Sequence, residues 1–202
     1  MVTDDRRGDP RFLNAMTSLQ LARLEGDEGT AFALWPDLTI AYVNPAWGRF
    51  AAANDGSPAV ADRWSPGASI LDAISQEVRP YFASRYRQCL RDRTDWNHDY
   101  ECSSPDRYRV FRMRVFRAES VEALIVINSC RIDFQSVREE RPPLEEWYRP
   151  ASGLILQCCD CRRFRRLTAK LVWDWVPAWV RQAPSRVSHG LCESCRAFYS
   201  LQ

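Results

Sequence analysis

Two CxxC pairs, Cys158–Cys161 and Cys192–Cys195, with thirty residues between them, restrict this chain of 202 residues more than anything else in it. A CxxC turn curls two thiolates onto one metal ion, and two such turns complete the tetrahedron that Zn²⁺ favours. A redox CxxC of the thioredoxin type needs one pair, with its first cysteine exposed at a helix start, so two pairs point to structural zinc. The other cysteines, at positions 89, 102, 130 and 159, are scattered. A reducing, cytoplasmic setting is therefore expected, not a disulfide framework. Cys159 with Cys161 would make a CxC pair; the CxxC spacing selects Cys158. His189 stands three residues before Cys192 and offers an alternative ligand, but with four thiolates at hand a supporting role suits it better.

The basic run Arg162, Arg163, Arg165 and Arg166 follows the first pair directly. Arg162 and Arg163, with His189, are expected around the metal, offsetting thiolate charge and donating hydrogen bonds to it. Residues 149–202 hold 9 Arg or Lys against 3 acids, whereas residues 1–148 hold 19 Arg against 23 acids. Metallation by four thiolates would remove part of that C-terminal surplus. No zinc finger with a recognition helix is spelled out, and no aromatics are interleaved with the arginines, which argues against nucleic acid as the partner.

The remainder reads as one α+β domain with flanks. Asp9 and Pro10 supply a cap and first turn for "RFLNAMTSLQLARLEG", where Phe12, Met16 and Leu19 lie on an apolar stripe predicting an amphipathic helix within an N-terminal segment, residues 1–30. "TAFALWPDLTIAYVN" reads as two strands meeting at Pro36 and Asp37. Asn44 and Pro45 then open a helix carrying Trp47 and Phe50, ended by the turn Asp55, Gly56, Ser57 and Pro58. "SILDAI" is a short helix, and Val78, Phe82, Tyr86 and Leu90 repeat every four residues in a longer one. The period then changes to two: in "YRVFRMRVF", Phe111, Met113 and Val115 alternate with arginines, flanked by strands in "DWNHDYECS" and "EALIVINSCRI". His98, in the first of these, is expected at the surface. "DFQSVREERPPLEEW" is a charged connector, residues 134–150, in which Pro142 and Pro143 stop any helix.

Laid out this way, residues 31–133 resemble a PAS domain: "FALWPDLTIAYVNPAWGRFAAAN" looks like its opening hairpin and first helix, and three strands close it. The tail, within residues 151–202, resembles a cysteine module of bacterial PAS-containing and response-regulator proteins, through Cys158, Cys161, Arg162, Arg163, Trp173 and the segment Ser188 to Cys195. The resemblance implies an antiparallel sheet with helices on one face, able to enclose a small molecule. Trp47, Phe50, Phe82, Phe111 and Met113 are the candidate pocket residues; the ligand is unknown. The string that marks flavin-photoadduct PAS domains is absent, and neither histidine suits a haem.

Together these features imply a non-catalytic sensory, signalling or adaptor protein with Zn²⁺ as cofactor. The competing classes are a zinc-dependent nucleic-acid-binding regulator, and an enzyme or redox protein using the CxxC motifs. Four cysteines close the metal to substrate, and no output domain is expected after the tail. A signalling protein is therefore the expected partner. Pairing of Phe12, Met16 and Leu19 across a two-fold axis would give a homodimer; the alternative lays the same helix over its own sheet. The polar, acidic start and the lack of any run of eighteen apolar residues argue against export and membrane insertion.

Overall fold

The computed structural model describes residues 7–54, 58–168 and 170–200; the turn expected at Asp55, Gly56 and Ser57 lies outside them. The Asp9 carboxylate caps α1 (Pro10–Ala15), accepting the Arg11 N–H at 2.8 Å, and Pro10 fills the first turn. The expected single helix is broken here. Met16 is extended, and Thr17 starts α2 (Ser18–Gly26) through a reciprocal capping box with Gln20. A Thr that satisfies a new helix's free N–H groups outweighs continuation of the old one.

The strands β1 (Thr30–Leu34) and β2 (Ile40–Val43) form the opening hairpin, and α3 (Pro45–Ala53) follows under the cap of Asn44. After α4 (Ala59–Arg63), "SILDAI" makes only a 3₁₀ turn, Ile70–Ala73. Then come α5 (Arg79–Asp92), β3 (Trp96–Glu101), β4 (Arg107–Arg117) and β5 (Leu124–Gln135). The sheet order is β2-β1-β5-β4-β3, and β1 pairs antiparallel with both neighbours. This is the expected α+β, PAS-like order of hairpin, helices and closing strands.

The pleat of β1 separates two environments. Phe32 packs on Trp47 of α3 at 5.4 Å, and Met113 of β4 accepts the Tyr86 hydroxyl of α5 at 3.6 Å, so α3 and α5 share one face. Ala31, Ala33, Ile125 and Ile127 look the other way and are covered by Phe12, Met16 and Leu24 of the N-terminal segment. This corrects the two-fold stripe: Phe12 is fully buried and Met16 is 8% exposed within their own chain, while Leu19 is 63% exposed. The alanines of β1 leave room for a helix to lie close, which makes the chain's own sheet the cover.

Asn44 ties these parts together from full burial. Its Oδ1 accepts the N–H groups of Ala31 (2.9 Å) and Trp47 (3.1 Å), and its Nδ2 donates to the carbonyls of Leu24, Asp27 and Gly29. His98 departs from expectation. It is buried against Phe82 (5.3 Å) and Trp96 (5.4 Å), because alternate residues of β3 face α5.

The described residues divide into two compact units. One runs to Ile74 with Arg79–Asp99 and Arg112–Cys130; the other holds Ser75–Val78, Tyr100–Phe111 and everything from Arg131. In the second unit, β6 (Ile155–Cys158), β7 (Phe164–Arg165), β8 (Trp173–Asp174) and β9 (Val187–Gly190) form a sheet of order β8-β7-β6-β9, joined by α6 (Pro177–Arg181) and α7 (Glu193–Ser200). Pro177 begins α6, where its missing N–H costs nothing. Trp175, Trp179 and Val180 fill a core with Tyr148, Ile155 and Phe164, leaving Leu171 exposed. Beneath it the Asp174 carboxylate accepts two bonds from Arg166, at 2.6 and 2.9 Å, and one from the Tyr148 hydroxyl at 2.9 Å.

Candidate metal centre

The parallel pairing of β6 with β9 brings the two CxxC turns together. Cys158 is the last residue of β6 and lies opposite Gly190, the last of β9. Parallel strands deliver their C-terminal ends to the same edge, so both turns leave the sheet side by side. The first turn is closed by hydrogen bonds from Cys158 N–H to Arg163 O (2.8 Å) and from Arg162 N–H to Cys158 O (3.1 Å). Cys159 N–H reaches across to Gly190 O at 2.8 Å. The second turn runs into α7, with Cys195 in its first turn.

The Sγ atoms of Cys158, Cys161, Cys192 and Cys195 all lie within 4.8 Å of one another, and all four residues are buried. A metal–sulfur distance of about 2.3 Å in a regular tetrahedron sets sulfurs about 3.8 Å apart. The Cys161–Cys192 separation is 3.8 Å. The group could therefore hold a metal ion. Neither Cys159 nor His189 belongs to it: Cys159 is half-buried beside it, and His189 is exposed on β9.

Electrostatics agree with a cation-seeking set. Hydrogen bonds from Cys161 and Cys195 hold the Cys158 thiol far below its ordinary range, while the same contacts push Cys161 and Cys195 up. One sulfur can carry charge by leaning on its neighbours; four anionic sulfurs this close require a cation among them. Burial, with the charge on Cys158, pushes Cys159 up to about 12.

Around the thiols the structure differs from expectation. The Arg162 guanidinium turns away from the sulfurs and donates to the carbonyls of Ser103 (3.2 Å) and Val180 (2.9 Å). Arg163 serves through its backbone carbonyl, and its side chain lines a shallow groove with Glu101, Tyr108, Phe134, Val137 and Arg138. Arg162 sits in the turn between β6 and β7 with a left-handed backbone, φ 63°, and the turn carries its side chain away from the cluster. Trp173 and Leu191 pack against the thiols instead, and Trp173 Nε1 donates to Glu193 at 2.9 Å. Asp160, inside the first CxxC, accepts the Tyr199 hydroxyl at 3.0 Å. Asp160 lies inside the motif and Glu193 beside Cys192, but their partners lie 39 and 20 residues away, beyond any local signal.

The candidate pocket residues are only partly brought together. Phe82 and Met113 meet at Tyr86, and Trp47 packs on Phe32 with its Nε1 buried and without an acceptor among the described residues. Phe50 sits half-buried on α3. Phe111 stacks on Tyr100 at 5.9 Å in the other unit.

No family model and no curated protein matches this chain. Among solved structures, a domain of an HTR-like protein from Haloarcula marismortui is similar at 13% identity and a TM-score of 0.38, over 52% of this chain and 100% of that one. A PAS domain of an HTR-like protein from the same organism gives 16% and 0.37, over 60% and 96%. A PAS domain from a two-component sensor histidine kinase gives 16% and 0.36, over 56% and 96%. Likenesses at this level carry nothing about function.

Proposed function

We propose that the four thiols hold one Zn²⁺ in a closed structural site, and that the chain is a non-catalytic sensory or adaptor protein whose PAS-like sheet receives a small molecule or a signalling partner. The convergence of four buried sulfurs within 4.8 Å carries the metal reading. Bound zinc would neutralise the thiolates and add its binding energy to the folded state. Four protein ligands leave no position for substrate or activated water, which supports a structural over a catalytic site. Burial of all four sulfurs weighs against thiol–disulfide exchange. Reduced thiols suit a cytoplasmic setting, and among the described residues no helix is long and apolar enough to cross a membrane.

Support for a ligand comes from Trp47, whose buried indole N–H has no acceptor among the described residues. A molecule with a carbonyl or hydroxyl beside it would supply one. The nucleic-acid reading is weakened by the basic run itself. Arg162 is engaged with two carbonyls and Arg166 with Asp174, so only Arg163 and Arg165 of the four remain for phosphate.

Elemental analysis combined with native mass spectrometry of the purified protein tests both halves. One zinc per chain is expected, and an additional small mass lost on denaturation identifies a ligand. Metal content near zero in protein purified under reducing conditions would remove the zinc site. A salt-sensitive shift with random duplex at physiological ionic strength would favour the nucleic-acid class.

A further inference from the structure

Arg162 occupies an unusual position. It follows Cys161 directly, its backbone is left-handed at φ 63°, and its N–H closes the first CxxC turn onto Cys158 O. The direction in which its side chain leaves is therefore set by the turn that gathers the thiols. The guanidinium reaches the carbonyl of Ser103, in the loop joining β3 to β4, and that of Val180 at the end of α6.

Ser103 is itself 2% exposed and fully occupied. Its hydroxyl donates to Glu101 at 2.7 Å and accepts the Arg109 N–H at 3.3 Å. Glu101 in turn pairs with Arg138 at 2.7 Å, and the Arg138 guanidinium lies over Tyr108 (4.9 Å) and Trp175 (4.6 Å). All these residues belong to the second unit. The hairpin loop is thus held by two arginines of different kinds. Arg138 is braced by rings and a carboxylate, independently of the cysteines. Arg162 depends on the shape of the CxxC turn.

A guanidinium drawn out of water is tolerated only while its hydrogen bonds are made. If the turn relaxes, Arg162 gains hydration by withdrawing, and the Ser103 carbonyl loses its donor.

Resting on the zinc reading above, we infer that occupancy of the cysteine site regulates the order of the β3–β4 loop, residues 102–106, with Arg162 as the positioning residue that links them. The metal sets the turn, the turn aims Arg162, and Arg162 locks Ser103. Loss of the metal, by chelation, frees the loop.

The test is amide hydrogen exchange on the full chain, using the N–H groups of Cys102 and Ser104, which bond across the hairpin to Arg109 and Arg107. Arg162→Gly is the informative variant, because glycine keeps the left-handed backbone while deleting the guanidinium. Zinc-loaded wild type should protect these amides. Zinc-loaded Arg162→Gly, with its metal content unchanged, should exchange them roughly tenfold faster, the size of an ordinary coupling between sites. Chelated wild type should match that rate, and chelation of the variant should add no further change there. Equal protection in zinc-loaded wild type and variant overturns the inference, as does a loop response to chelation of the same size in both. Either result leaves the zinc site standing, whereas a protein that binds no zinc removes the site itself.

Discussion

The amide N–H of Cys192 points at the sulfur of Cys158 across 3.4 Å, joining the second CxxC turn to the first. That bond favours negative charge on Cys158 and places the two turns in register. It also identifies Cys158, not Cys159, as the partner of Cys161.

Cys192→Ser should therefore release the metal and lower the stability of the second unit, whereas Cys159→Ser should keep one metal per chain. Elemental analysis of both variants, with circular dichroism before and after chelation, checks the pair. Metal retained by Cys192→Ser and lost by Cys159→Ser would falsify the assignment.

Asn44 satisfies five backbone groups from full burial. Asn44→Ala removes an N-cap and strands several donors and acceptors, so a loss of about 3 kcal/mol is expected. Urea unfolding with a probe in the PAS-like unit measures it; a change below about 1 kcal/mol contradicts the role given to this side chain.

In the second unit the Arg166–Asp174 pair is bidentate and mostly buried. Asp174→Ala leaves the guanidinium without its partner and should cost about 3 kcal/mol. Tyr148→Phe removes one hydroxyl bond to the same carboxylate and should cost about 1 kcal/mol. Equal effects from the two variants would mean that the ion pair contributes little.

Phe12 is enclosed by its own chain and Leu19 is not. Phe12→Ala should cost about 3–5 kcal/mol, and Leu19→Arg should stay within about 0.5 kcal/mol. Light scattering supplies a second readout: Leu19→Arg should leave the oligomeric state unchanged. Dissociation of an oligomer by this substitution would restore the self-pairing stripe.

Two carboxylates make stability depend on acid. A hydrogen bond from Arg11 holds Asp9 below the usual carboxylate range, and one from Thr39 does the same for Asp37. Because the folded values are depressed, their contribution is complete above the unfolded value of about 3.9 and fades as pH falls through the folded ones. The urea midpoint should fall as the pH is lowered below about 3.9. Asp9→Asn and Asp37→Asn should each flatten that slope, and an unchanged slope in the double variant would assign it to other groups.

Much of this protein is written in local pattern. Alternation in "YRVFRMRVF" determined a strand with Phe111, Met113 and Val115 buried, because a pleat exposes every second residue to the same surroundings. Asn44 with Pro45 marked a helix start, and CxxC spacing, with the resemblance of the tail to a cysteine module, selected the four thiols later found together. These signals act within a few residues of one another. Tertiary structure decided the rest, because it depends on which surfaces meet. Parallel pairing of β6 and β9 converged two turns thirty residues apart, α5 buried His98, and the alanines of β1 accepted the N-terminal helices in place of a second copy. Arg162 illustrates the boundary between the two. Its position after Cys161 could be read from the sequence, but a long flexible side chain can reach many groups, and only the folded chain determined that it reaches Ser103 and Val180 and not the sulfurs.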